Sequence, residues 1–421
     1  HAMQVYFSRD PGRIRTHLDN LNRPVFATAH NIGLELTDLI EEKVKNLSTI
    51  LSHEECYFVL WTRPVAMTKS ELERVQKDKT DQNKKWVNAP YGQNPLAGIE
   101  ILRTRHRSYV TAIQQALNEL GIRAEMMEVH DALRAVRNNL FPSRANEDWR
   151  VCLPGDRISP RAPLSQFDLS DIIWPSIPEQ ISVGDARLTG GSVVQIGDTN
   201  WAGADMTLAP MEVAPFPMLL NRLYDSKVPF RISFLIEGGG AEATAFKTLV
   251  ATLMSVTNAL NKQIKYSLEG LQAMARSEPV VKLRVSFATW APKSDPNLIQ
   301  DRLSVLMQSV ESWGYAQVNA SSGDPLDCVM ASAMGIHCAG TAPVAIAPMK
   351  EVMKLMPWQR PSSPFTSGAI MLRTPDGKVW PYQTGTTLTT TWFDLIFAQP
   401  GAGKSVLMNT LNLGTILTPG L

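Results

Sequence analysis

Ala398-Gln399-Pro400-Gly401-Ala402-Gly403-Lys404-Ser405 is the stretch of this sequence whose residue types and spacing can do chemistry. Small residues at 398, 401, 402 and 403 let backbone N–H groups approach an anion, and a lysine and a hydroxyl follow at once. That is the composition of a P-loop, a cradle for nucleotide phosphates. Gly401 and Gly403 are expected to leave the backbone unobstructed. Lys404 is expected to reach the β- and γ-phosphates of ATP, and the Ser405 hydroxyl to ligate Mg2+. Ala398, Ala402 and Val406 complete the expected cofactor-binding set.

Such a loop works only if its neighbours position it. Residues 392–397, Trp-Phe-Asp-Leu-Ile-Phe, read as the buried strand that delivers the chain to the turn. Residues 406–411 read as the helix whose N-terminus favours anions. Ala398 stands where the motif usually has its first glycine, and the loop departs from the pattern only there. A chance Gly-Lys-Ser turn is the competing reading. Hydrolysis needs an acidic residue at the end of a second core strand, and only residues up to Leu421 follow Ser405. Residues 232–237, ending in Glu237, imitate such a strand but lie upstream and read as an ordinary one. Gly238-Gly239-Gly240 lacks the lysine and hydroxyl and reads as a loop. No catalytic residue is therefore assigned, and residues 1–421 are expected to hydrolyse no appreciable ATP.

Composition sets the background. The chain has 421 residues, 44% hydrophobic and 19% charged, which suits a globular protein of two or three domains. A net charge of +1 gives no bulk attraction to nucleic acid or anionic membrane. Cys56, Cys152, Cys328 and Cys338 are widely spaced, which fits a reducing compartment rather than a disulfide framework. Cys328, His337 and Cys338 are one ligand short of a zinc site. Residues 328–349 lack acidic, Lys and Arg residues, but their glycines, prolines and alanines suit a packed loop better than a membrane helix.

Periodicity places the elements. Residues 25–29 read as a strand, 35–51 as an amphipathic helix, 56–62 as a buried strand, and 69–85 as a solvated helix with a capping box at Ser70 and Glu73. Residues 103–120 carry Val110, Ile113, Leu117 and Leu120 on one face and stop at Gly121. The basic start of that helix, Arg103 to Arg107, opposes the helix dipole and points mildly to an external contact. Residues 122–129 read as a strand, and Asp131 as the cap of a short helix. Residues 231–237 and 281–287 alternate as strands, with a helix between them on Phe246, Leu249, Leu253 and Leu260. The helix after Asp295-Pro296 has its core face on Ile299, Leu303, Leu306, Val310 and Trp313; a strand at 315–319 follows.

The run from Ser367-Gly368-Ala369-Ile370 through Thr387-Leu388 to Phe393-Asp394-Leu395-Ile396-Phe397 and the P-loop resembles the type IV secretion and conjugation ATPases of the TraC-like family, including its type IVB, DotO (IcmB)-type branch. Looser points of likeness are the Tyr6-Phe7-Ser8-Arg9-Asp10-Pro11 start and the Met356-Pro357-Trp358 step. The specific likeness covers about the last fifty residues, and the later motor motifs are absent. The resemblance implies a cytoplasmic ATPase, peripheral at the inner membrane and hexameric through its motor. It would dock to inner-membrane and other ATPase subunits of the secretion apparatus and energise transport of protein or DNA. The runner-up readings are another P-loop motor, such as an FtsK-like DNA translocase, and a non-enzymatic scaffold.

The expected fold class is α+β: two ferredoxin-like strand–helix units in a docking region, then the first strand, P-loop and helix of a truncated RecA-like α/β motor domain. The expected division is residues 1–3 as a cloning remnant, 4–141 as a first α+β subdomain and 142–228 as a Pro-rich linker. Residues 229–360 form a second α+β subdomain, and 361–421 the start of the ATPase domain.

Overall fold

The structure, a computed structural model, describes the chain except residues 86–97, 123, 154–155, 157–175, 211–213, 241–267, 271, 274, 276–277, 321–322, 338, 359, 361, 366, 384–395 and 419–421. In chain order the strands are β1 (Ala2–Asp10), β2 (His53–Trp61), β3 (Ala186–Leu188), β4 (Val193–Ile196), β5 (Thr199–Leu208), β6 (Phe230–Glu237), β7 (Val280–Pro292), β8 (Gln317–Asn319), β9 (Ala345–Pro348), β10 (Ile370–Arg373) and β11 (Val379–Tyr382). The helices are α1 (Ile14–Asn31), α2 (Thr37–Ile50), α3 (Lys69–Lys85), α4 (Ile99–Glu119), α5 (Val129–Leu140), α6 (Ile177–Ile181), α7 (Phe216–Tyr224), α8 (Leu298–Glu311), α9 (Pro325–Ser332), α10 (Met349–Lys354) and α11 (Lys404–Ile416).

The fold is mixed α+β around one large antiparallel sheet. Its strands run β2-β1-β6-β7-β5-β4-β3, with β8 also on β5 and β9 also on β7. Alternation assigns the faces. Val5 and Phe7 of β1, Phe230, Ile232 and Phe234 of β6, and Leu283, Val285 and Phe287 of β7 point one way and pack on α7, α8 and Trp313. Each fully buried phenylalanine there contributes about 2 to 3 kcal/mol of apolar transfer. Tyr6, Trp201, Ala288 and Trp290 point the other way and pack on Val136 and Leu140 of α5 and Val329 of α9. A third cluster joins α1 and α2 to the β10–β11 hairpin and the end of α11.

Several expectations hold. The helices at 35–51 and 69–85, the strands at 231–237 and 281–287, and the helix core face from Ile299 to Trp313 all appear. Among the described residues no helix is long and apolar enough to cross a membrane. The described residues of 328–349 fold instead into part of α9, a loop, β9 and the first residue of α10. The helix expected between β6 and β7 lies outside the described residues.

Others are corrected. Residues 25–29 are helical, because Ile14, Leu18, Asn22, Val25 and Ala29 form one buried face at helical spacing. Pro24 interrupts that helix only on its exposed side, where a carbonyl that loses its partner meets water. The capping box sits two residues earlier than Ser70 and Glu73. Thr68 N donates to Glu71 Oε2 at 2.7 Å, and Glu71 N donates back to Thr68 Oγ1 at 3.3 Å. The described residues of 122–128 form no strand, and Glu128, not Asp131, is the N-cap of α5. The span 142–228 is no mere linker: it supplies β3, β4, β5 and α7, and its glycines turn hairpins. Ala2 and Met3, set aside as a remnant, pair with Trp61 and Leu60 on one side and Glu237 and Ile236 on the other.

Candidate functional site

Residues 398–405 form one continuous exposed turn that runs into α11. Ala402 N donates to Gln399 O at 3.2 Å, which closes the bend after Pro400. Gly401 and Gly403 both sit at φ +83°, the left-handed region that side chains strain to enter. Alternating left-handed positions turn successive N–H groups to one side, the geometry of an anion nest. Gly403 is the N-cap of α11 and offers no side-chain acceptor, so the first-turn N–H groups of Lys404, Ser405 and Val406 face outward uncapped. Lys404 Nζ donates to Ala398 O at 2.7 Å and so arches back across the loop. Every residue from Ala398 to Val406 is exposed.

Ala398, Gly401, Ala402, Gly403, Lys404, Ser405 and Val406 thus lie together at one helix mouth. The geometry suits phosphate oxygens: two flexible glycines, a positive helix end and an ammonium held within reach. Mg2+ fits less completely. Ser405 is the one hydroxyl at the helix start, and no group of three His, Cys, Asp or Glu among the described residues is placed to hold a metal. A bound Mg2+ would take its other ligands from phosphate and water. The expected strand before the loop is not present at Ile396 and Phe397, where Phe397 is 87% exposed; residues 392–395 lie outside the described residues.

The far half of α11 is anchored. Gly414 lies against Ile370 so closely that an added Cβ would meet that side chain at 2.1 Å. Leu417 is buried with Ala369 and Met371 of the hairpin region and with α1 and α2. The turn at 398–405 therefore stands, through α11, on the β10–β11 hairpin.

That hairpin is tied to the sheet by a buried ionic network. Arg360 Nη1 donates to Glu54 Oε2 at 2.6 Å and Nη2 pairs with Asp376 Oδ2 at 2.5 Å. Arg9 Nε lies 3.5 Å from Glu54 Oε1, Arg9 Nη1 donates to Leu220 O at 3.2 Å, and Nη2 donates to the Asp376 carbonyl. Burial alone would raise the Asp376 carboxyl; the Thr374 hydroxyl and Arg360 more than offset it and hold it below the usual range. No periodicity or motif marks residues 54, 360 and 376, Arg9 is noted only within the Tyr6–Pro11 start, and sequence reasoning missed the network they form.

A second titratable cluster lies where α1 meets β2. His53 Nε2 and Arg13 Nη1 both reach Glu55 Oε1, at 3.2 and 3.1 Å, and the His17 ring lies 4.7 Å from that of His53. Burial first, then His53 and Arg13, push His17 down to about 4. Below about pH 6.5 the unfolded chain takes up a proton that the folded chain refuses, so stability falls as pH drops from about 6.5 towards 4. The expected loss from this group is about 2 to 3 kcal/mol. His17→Leu should flatten that limb of a stability–pH profile measured by urea unfolding; an unchanged limb would assign the loss to other groups.

The chain matches no known protein-family model, and no curated protein is significantly similar to it.

Proposed function

We propose that the turn at 398–405 binds nucleotide phosphates, and that the sheet ahead of it is the docking and assembly region of a TraC-like type IV secretion or conjugation ATPase. The observation that carries the first half is the loop itself: two left-handed glycines, an uncapped helix start, and Lys404 arched onto Ala398 O. The second half rests on the resemblance of the residues around that loop. Support for a ferredoxin-like element comes from β7–α8–β8: β8 lies across β5 from β7, and both run antiparallel to β5. On this reading α11 begins a RecA-like motor domain. ATP is the ligand with Mg2+ as its counter-ion, and hexamers form through the motor at the cytoplasmic face of the inner membrane.

The test is a titration with fluorescent mant-ATP in Mg2+. Saturable binding should weaken at least about tenfold in Lys404→Ala, a loss of about 1.4 kcal/mol or more. Equal binding by Lys404→Ala, with its circular dichroism unchanged, would sink the phosphate reading.

A further inference from the structure

The glycine turn at 238–240 has no lysine beside it in sequence, but the sheet brings cations to it from other strands. Glu237, the last residue of β6, belongs to one row across the sheet. Trp61 of β2 stands opposite Ala2 of β1, Ala2 opposite Glu237, and Glu237 opposite Lys282 of β7. Residues directly opposite in antiparallel strands put their side chains on the same face. Arg284, two residues along β7, shares that face. Arg63 follows the end of β2.

Glu237 is held from two sides. Arg63 Nη2 pairs with its Oε1, and Arg284 Nη1 lies 3.3 Å from its Oε2. Among the described residues Lys282 has no ion pair, and no other carboxylate pairs with Arg63 or Arg284. Glu71 of α3 is taken by Arg105 of α4 at 2.6 Å. The terminal amine of His1 adds to the positive side, and burial first, then Arg63, hold it below its usual range. The surplus is felt inside the cluster too: burial first, then the Arg63 charge, keep Arg284 below the ordinary arginine range. Arg63 Nε, Arg284 Nε and Trp61 Nε1 are shut off from water and meet no acceptor among the described residues. A carboxylate offers about four lone-pair positions against about ten N–H donors on two guanidiniums, so Glu237 cannot saturate both.

The cluster is open to a ligand. The side chains of Arg63 and Arg284 are 33% and 23% exposed, and Gly238 and Gly239 are exposed beside them in the chain after Glu237. A Cβ at Gly238 would meet nothing within 4 Å, and Gly239 sits at φ +80°. Among the described residues no acceptor takes the N–H of either glycine. The turn thus adds free backbone donors with no side chain in the way.

Charge decides what fits. Arg63, Arg284 and Lys282 share one carboxylate, which leaves two positive charges unmatched. A carboxylate or a phosphodiester brings a single negative charge, whereas a phosphate monoester carries about −1.5 to −2 at neutral pH. Guanidinium forks also match phosphate oxygens two at a time. We propose that Arg63, Arg284 and Lys282, with the turn at Gly238 and Gly239, bind the phosphate monoester group of a small molecule or lipid headgroup. Glu237 holds the two arginines in place for it. This second anion site is separate in sequence from the turn at 398–405, and neither depends on the other: its failure would leave Lys404-dependent nucleotide binding standing, and the converse holds too.

The probe is glycerol 3-phosphate, titrated by calorimetry into the full chain carrying Lys404→Ala, so that the turn at 398–405 is already weakened. Saturable binding is expected. Lys282→Ala breaks no ion pair among the described residues, and circular dichroism would confirm the fold. It should weaken binding at least about tenfold, and Lys282→Arg should restore it. Glycerophosphocholine, a diester with one negative charge on its phosphate, should bind at least about tenfold less tightly. Co-sedimentation with phosphatidylcholine vesicles that carry phosphatidic acid, lost in Lys282→Ala, would make a lipid headgroup the source; binding of glycerol 3-phosphate without such co-sedimentation would make it a soluble ester. No saturable binding, equal binding by Lys282→Ala, or equal binding of the diester overturns the proposal.

Discussion

Glu54→Ala is expected to destabilise the chain by about 3 to 5 kcal/mol, the usual cost of stranding buried charge. Glu54 is 5% exposed at its side chain and serves two guanidinium groups, those of Arg9 (2%) and Arg360 (6%). Burial already pulls Arg9 below the ordinary arginine range, and Glu54 is the main charge opposing that pull. Without it, the Arg9 and Arg360 guanidiniums share a site closed to water with Asp376 as the network's remaining carboxylate. Urea denaturation should show a lower midpoint with a similar slope. Lys354→Ala, which breaks a half-exposed pair with Glu351, should stay within about 0.5 kcal/mol of the parent chain. The loss should also be local: amides of the β10–β11 hairpin and of α11 should exchange faster, because Arg360 and Arg9 hold the turn at Asp376. Acid should act in the same direction. The Asp376 contribution is complete above the normal carboxylate range and is lost as pH falls through its depressed folded value. A Glu54→Ala midpoint equal to that of the parent would show that the network is paired without being stabilising.

What could be read in advance followed contiguity and period. That the seven residues assigned between Ala398 and Val406 lie together in one turn follows from their being neighbours in the chain, where proximity in sequence is proximity in space. β6, β7 and α8 are legible because one face of each is wholly apolar. β1 was not, although it is paired on both sides, with β2 and β6. Gln4, Ser8, Arg9 and Asp10 break its apolar alternation, and all four are buried because partners elsewhere satisfy them. Gln4 alone bonds Ser233 Oγ and Ala333 O, both at 2.8 Å, and accepts from Gly335 N at 2.9 Å. Those partners come from far along the chain, where no window reaches. The strand at 56–62 was found, but its place at the sheet edge was not, since edge and centre differ by what lies beside a strand rather than by what is in it. For the same reason the Arg360 network became visible only in three dimensions.

Arg231 presents the same problem in its sharpest form, and replacing it should cost as much as any change in the core. It lies on β6 with no exposure, and among the described residues no carboxylate is a hydrogen-bond partner of it. Nε donates to Ser332 Oγ at 2.8 Å. Nη1 donates to Asn139 O and Oδ1 at 2.8 and 3.0 Å, and Nη2 to Val329 O at 2.7 Å. Asn139 is next to the last residue of α5, and Val329 and Ser332 lie in the last turn of α9. The guanidinium therefore sits at the C-terminal ends of two helices, where free carbonyls and the negative pole of each dipole take the place of an acidic partner. The Trp201 ring, 4.1 Å away, covers its face. Burial pushes the group down to about 10, so it remains a cation at neutral pH. Arg231→Met keeps the bulk but leaves the carbonyls of Asn139 and Val329 without this donor, and the expected loss is about 3 to 5 kcal/mol in urea denaturation. Arg231→Lys keeps the charge and loses the planar fork that reaches both helices, so it should recover less than half of that. If Arg231→Met proved as stable as the parent, the cost of burying the cation would match all that its hydrogen bonds return. The pairing of the two helix ends would then be a matter of specificity and not of stability.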